Sequence, residues 1–430
     1  MKNFIQIFVV LSLVFIVSCK SKTEKKMDEI NKEQKEKTHS GSVVMTAVGE
    51  LELAAPYATE SVANVNKMVD WPENTLPQAP EGFVVTKYAD GFDNPRWSYF
   101  APNGDLFVSE ASTGKDGGKI TVLRDLDNDG NFEVRETFLE DLHQPFGMLI
   151  IDNFFYVANT DGLYKYPYKK NQTSMKDVEG KKIVELPAGG YNNHWTRNII
   201  TNKERNKIYI SVGSASNVAE HGMEEEIRRA NILVVNLDGS DEKIYASGLR
   251  NPVGMDWNPA NGELWSAINE RDELGDELVP DYATSVKEGG FYGWPYSYFG
   301  QIEDPRLEGK APELVANAIV PDVPLGPHTA SLGFTFYDAT AFPEKYRNGA
   351  FVGQHGSWNR SVLSGYKVVF IPFENGAPKP AEDFLTGFIA DKSGTEVYGR
   401  PVAVTVSPQG DLLVNDDSGN AIWKVSYQAK

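Results

Sequence analysis

Polar residues recur at one phase of this chain, and their types suit proton transfer beside a bound anion. His194 opens HWTRN, Arg250 and Asn251 sit in GLRNPVG, Gln144 precedes PFGM, and Arg400 precedes PV. An imidazole with an ordinary pKa of about 6.5 takes and returns a proton near neutrality, which makes His194 the candidate general base. A guanidinium stays charged at any working pH and forks onto carboxylates, so Arg250 and Arg400 are candidate anchors, with Asn251 donating and accepting beside the first. A satisfied structural histidine and salt bridges between elements are the plainer readings of the same residues. His328 in GPHTASLG and His355 in GQHGSW fall near similar strand ends and are placed in the same pocket.

Each of these residues stands just before a repeated phrase: an apolar strand, a turn with Asn-Gly or a similar pair, then a second strand. Copies run over 94–110, 144–160, 194–214, 251–270, 330–354 and 400–417. Such a hairpin cannot bury its own faces, whereas six arranged about an axis can. The expected fold is therefore all-β, a six-bladed β-propeller over 82–430; a sandwich or two smaller β domains is the alternative. Innermost strands of a propeller begin at one end of the central channel, so Gln144, His194, Arg250, Asn251 and Arg400 are expected to face one mouth. Residues 51–81 read as a lead-in packed outside the propeller, with one short helix around 61–69.

Composition bounds the partners. A net charge of −18 and the lack of a Lys/Arg stripe argue against nucleic acid. The N-terminus has Lys2, an apolar run over 4–17 that is too short to span a bilayer, and then Ile16-Val17-Ser18-Cys19. This pattern resembles a bacterial lipoprotein signal peptide over 1–19, with Cys19, the only cysteine, as the lipidated residue. A plain secretory signal is the alternative. Residues 20–50, rich in Lys, Glu, Ser and Thr, read as a flexible tether, so the expected location is extracytoplasmic and membrane-anchored.

A metal-loop signal lies at Asp125, Asp127 and Asp129, followed by Gly130 and, further on, Glu133 and Glu136. Short carboxylates alternating around a turn glycine match an oxygen-ligand loop for calcium, with a plain acidic hairpin turn as the alternative.

The phrases NNHWTRN, GLRNPVG, NERDELGDELVPDY, EGGFYGWPYSYFG, GQHGSWNRS and YGRPV resemble the L-sorbosone dehydrogenase and aldose sugar dehydrogenase group of the soluble quinoprotein glucose dehydrogenase superfamily. The resemblance implies a six-bladed propeller that binds pyrroloquinoline quinone (PQQ) and calcium and oxidises a sugar C1 hydroxyl or an aldehyde. On that pattern the base falls on His194, a glutamine contact on Gln144, the Arg-Asn pair on Arg250 and Asn251, and a cofactor arginine on Arg400. The metal would take the acid of Asp276 and the backbone carbonyls of Arg271 and Asp272. Tyr292 and Trp294 are candidates to stack on a flat cofactor, and His355 and Arg360 to stand in for a family lysine. The chain departs from the pattern at Asn193, where an aspartate would precede the base, and at Tyr398, where a second clamping arginine is expected. A calcium-dependent lactonase and a non-catalytic glycan- or partner-binding propeller are the competing readings. The electron acceptor is unnamed by the sequence.

Overall fold

The structure, a computed structural model, describes residues 20–112, 117–127, 130–391 and 394–428; Cys19 and Asp129 lie outside the described residues. Six four-stranded antiparallel sheets form the blades of a propeller. Blade 1 runs through Pro95–Phe100, Leu106–Glu110, Gly118–Arg124 and Val134–Leu142. Blades 2 to 5 open with the inner strands Met148–Ile151, Ile199–Thr201, Pro252–Trp257 and Thr335–Phe336. Blade 6 takes Pro401–Val406, Leu412–Asp416 and Ala421–Tyr427 from the C-terminal end and is completed by Phe83–Asp90, which pairs with the last of them. Each repeated phrase of the sequence is thus the inner hairpin of one blade.

The strands form because β-branched and aromatic residues fill both faces of each sheet, so the second strands are buried throughout, as in LFVSE and LWSAI. Each blade-to-blade seam is its own apolar cluster. Phe107, Val122, Phe138 and Phe155 join blades 1 and 2. Phe351, Phe370, Val404, Leu412 and Trp423 join blades 5 and 6. Ala89, Leu106, Val108, Leu413 and Ile422 seal blade 6 to blade 1. Deleting one such large side chain typically costs about 3–5 kcal/mol, so the ring tolerates little change at these seams.

Near the axis, Phe146 and Leu332, just before their inner strands, and Val253 and Val402, within theirs, form an apolar plug. Inner strands crowd closely there. A side chain at Gly254 would overlap the Phe334 backbone, which is why NPVG carries glycine at that point.

The segment before the propeller differs from the expected tether. Ser21 caps a helix over Lys22–Lys35 through a reciprocal capping box with Glu24. A hairpin of Ser42–Thr46 and Gly49–Leu53 follows, and Leu53 joins the core between blades 3 and 4. Composition missed this because polar contacts hold the helix: the Tyr57 hydroxyl donates to Asn31 at 2.9 Å, and Glu24 lies 3.3 Å from His221. The short helix expected around 61–69 is absent too. Asn64, Lys67 and Val69 donate their backbone N–H groups to Trp358, Thr395 and Val397, so tertiary partners replace helical ones.

Candidate active site

The blade starts converge on a cleft of about 250 Å³ directly above the apolar plug, with Leu332 common to both. His194 lies in its wall. Its Nδ1 is 3.0 Å from the Ser214 carbonyl and 2.9 Å from Ser214 Oγ. A carbonyl only accepts, and Ser214 Oγ already donates to the Ser216 carbonyl at 2.6 Å, so Nδ1 carries the hydrogen. Nε2 is left with its lone pair. Burial, reinforced by the Arg250 charge, pushes the imidazole down to about 3, so it is neutral at every physiological pH. Asn193, the position without the expected aspartate, is exposed, and the orienting role belongs to Ser214.

Gly213 makes this arrangement possible. A Cβ there would overlap both His194 Cβ and Asn251 Oδ1. Gly213→Ala is expected to cost about 1–3 kcal/mol of stability, the usual penalty for overpacking a buried site, and, by displacing the imidazole, to lower turnover on the order of 10²-fold; parallel melting and single-turnover assays check both parts.

Arg250 stands one layer behind the cleft, almost fully buried, with its donors taken by Asn217, Asn269, the Glu270 carbonyl and Asp272. It holds the 269–272 loop in shape and is not a gripping group. Its partner Asp272 faces the cleft, and also accepts from Asn359 Nδ2 at 2.6 Å and lies 3.5 Å from His328 Nδ1. Burial alone would raise the Asp272 carboxyl, but Arg250 and His328 override it and hold it at about 2. Burial lowers His328, yet Asp272 and the Gly275 carbonyl, which accepts from Nε2 at 2.8 Å, raise it above an ordinary histidine overall.

A second cluster faces His194. His355 donates Nε2–H to the Asp417 carboxylate at 2.8 Å, and Arg96 donates to the same carboxylate. Burial first, then the Arg400 charge, depresses His355 to about 4. Burial would raise Asp417, but His355 and Arg96 hold it well below the usual carboxylate range. Arg400 donates Nε–H to the His355 carbonyl and Nη2–H to the Gly356 carbonyl, both at 3.0 Å, and its guanidinium borders the cleft. Arg96 escaped the sequence reading because it follows the Asn-Pro of NPRW, at the phase of Val253 and Val402 and not of Arg250 and Arg400. It supplies the second guanidinium, whereas Tyr398 turns away to stack on Trp71 at 4.7 Å. Trp195, 5.1 Å beneath the Arg96 guanidinium, and the half-exposed Trp358 are the aromatic groups of the cleft. Asn251 completes the wall with a buried Oδ1 that has no hydrogen-bond partner.

Several expected site residues are placed elsewhere. Gln144 lies behind Trp195, linked to it through Thr160. The Tyr292 hydroxyl donates to the Ser285 carbonyl, and Trp294 Nε1 donates to the Asn217 carbonyl, so both rings pack within the fold. Arg360 is tied to Asp276 and Glu277. Two of the metal donors assigned from sequence already have protein partners: the Asp276 carboxylate accepts from Ser361, and the Asp272 carbonyl accepts from Asn217 and Arg306. The Arg271 side chain is buried against Glu270 and Asp304. In the separate acidic loop, Asp125 and Asp127 approach Glu133, not Glu136, which lies in the outer strand of blade 1. A larger recess of about 980 Å³ near that loop gathers hairpin turns of blades 1 and 6 but none of the blade-start residues. Convergence of polar groups, not volume, selects the site.

The model of the TrAA12-like family matches residues 77–288 and 313–428, spans that contain every cleft residue named above. The chain belongs to the TrAA12-like family. An uncharacterised protein of Borreliella burgdorferi is 30% identical over 82% of this chain and 91% of its own length. The pyrroloquinoline quinone-dependent pyranose dehydrogenase of Coprinopsis cinerea is 24% identical over 78% of this chain, which spans 48% of that protein. A solved structure of the Trichoderma reesei AA12 carbohydrate-active enzyme superposes with a TM-score of 0.68 at 21% identity, covering 82% of this chain and 98% of that one. The TrAA12-like chain thus has its neighbours among soluble PQQ sugar dehydrogenases, on the fold expected from the repeats.

Proposed function

We propose that the protein is a quinoprotein dehydrogenase that takes PQQ into this cleft and oxidises a sugar C1 hydroxyl or an aldehyde. The observation that carries the reading is a neutral imidazole, held by Ser214 with Nε2 unprotonated, in the same cleft as two guanidiniums. PQQ is planar and bears three carboxylates, and the cleft suits such a group: Arg96 Nε and Asn251 Oδ1 are buried without partners, and Trp195 and Trp358 offer flat faces. Bound there, PQQ would supply the quinone that accepts a hydride from the substrate carbon.

The chain's own residues do the rest. His194 Nε2 takes the substrate hydroxyl proton, and the Ser214 carbonyl stabilises the resulting imidazolium through Nδ1–H. Arg96 and Arg400 hold the anionic ligand against Trp195. The apolar plug below excludes water from the floor. Calcium is expected from the resemblance, but the Asp276 carboxylate and the Asp272 carbonyl assigned to it are already engaged by Ser361, Asn217 and Arg306. A hydrolytic metal site receives no support, because Asp272 is the one acid lining the cleft among the described residues.

Reconstitution tests the reading. The purified chain, given PQQ with and without calcium, should reduce a dye with aldoses or aldehydes as substrate. No quinone spectrum and no reduction with any substrate would sink it. The leader and Cys19 support a lipid-anchored, extracytoplasmic protein; labelling with a tritiated fatty acid should mark the wild type and spare Cys19→Ser.

A further inference from the structure

The family match begins at residue 77, yet the segment just before it reaches the rim of the cleft. It crosses three blades in turn. Tyr57 donates its N–H to the Leu274 carbonyl at 2.8 Å, and Thr59 Oγ1 accepts from the Asp276 N–H at 2.7 Å, both on the loop that follows Asp272. Thr59 sits so close to Gly275 that a Cβ there would lie 2.9 Å from its Oγ1. Asn64 donates its N–H to the Trp358 carbonyl at 2.7 Å and its side-chain amide to the Arg360 and Ser361 carbonyls at 3.0 and 3.1 Å. Lys67–Met68 then pairs in parallel with Glu396–Val397, shortly before Arg400.

The two loops joined by this segment also meet each other across the cleft rim. Asn359 Nδ2 bonds Asp272 Oδ1, Arg360 Nε–H donates to the Asp276 carbonyl, and His328 Nε2–H donates to the Gly275 carbonyl. The segment therefore attaches at Trp358 itself and within one to five positions of Asn359, Asp272 and Arg400.

We propose that residues 57–69 act as a strap that positions the blade 4 and blade 5 loops, with Thr59 and Asn64 as positioning residues for the ligand taken by the cleft. The strap fixes the Asn359–Asp272 contact and the place of Trp358, and so the width of the mouth. The inference rests on the quinoprotein reading only for the identity of the ligand. Its mechanical content is independent of that reading.

Thr59 is exposed and Asn64 is only partly buried, so Thr59→Ala with Asn64→Ala removes three side-chain hydrogen bonds without opening a seam. Amide hydrogen exchange of the cofactor-free double variant should show residues 272–277 and 357–362 exchanging at least about tenfold faster, with the inner strands unchanged, as expected when local opening becomes cheaper. PQQ titrated against tryptophan fluorescence should bind several-fold more weakly, and KM should rise more than kcat falls. Asn64→Gln, which keeps the amide, should recover part of both effects. Unchanged exchange in both loops overturns the strap. Faster exchange with unaltered PQQ affinity and KM overturns its role in positioning the ligand. If wild-type protein fails to bind PQQ while the loops still loosen in the variant, the functional reading fails and the strap stands.

Discussion

His194→Ala should lower turnover by about 10²–10⁴-fold while PQQ binding, read from its absorbance, is unchanged, because removing a general base leaves ligand contacts in place. The pH dependence is the sharper test. The base form is the neutral imidazole, and in this protein it persists down to about 3. The rate should therefore show no acid limb near 6.5, where a solvent-exposed histidine would lose activity, and should stay level between about pH 5 and 8. An acid limb centred near 6.5 in the wild type would remove His194 from the role. Ser214→Ala, which keeps the carbonyl and loses only the hydroxyl acceptor, should lower turnover without introducing an acid limb, because losing an acceptor from Nδ1–H disfavours the imidazolium further.

Asp417→Ala should cost about 3–5 kcal/mol, the usual penalty for leaving a buried charge without its partner. Arg96 is nearly buried, its Nε has no acceptor, and Asp417 is its carboxylate partner. Chemical denaturation should show the loss, and the His355 ring, freed from its acceptor, should weaken PQQ binding as well. The sign of the pH effect follows from the direction of the shifts. Asp417 is held below the unfolded carboxylate value of about 3.9, so its contribution is complete above that pH and fades only below it. His194 and His355 are depressed, which favours the folded state with both rings neutral; wild-type stability should therefore fall as pH drops from about 6.5 toward 4. A variant as stable as the wild type at pH 7 would show that Arg96 finds another acceptor.

The ring was legible because a hairpin phrase repeats in phase with polar residues, and phase survives insertions of different length. His194, Asn251, His328 and Arg400 reach the cleft for that reason. Arg96 lies one residue inside its strand, at the phase of Val253 and Val402, and His355 and Asp417 each stand at the far end of a hairpin, where spacing gives no hint that the two meet. Burial decides the role of the arginines around the 269–276 loop: Arg250, read as an anchor, and Arg271, read as a carbonyl donor to a metal, spend their side-chain donors on backbone carbonyls and buried acids. Arg250 reads as catalytic from a motif and as scaffolding from its contacts.

The blade completed by Phe83–Asp90 bears on how the protein is made. Its other three strands run as far as Tyr427, so the ring stays open until Ala421–Tyr427 has left the ribosome. Arg400 and Asp417 arrive on that same late blade, which means that no shorter nascent chain holds a finished cleft. The ligand site therefore assembles only after blade 6 has been made. A chain that stops before Ala421 leaves Phe83–Asp90 as an unpaired edge, open to pairing with other chains and to proteolysis.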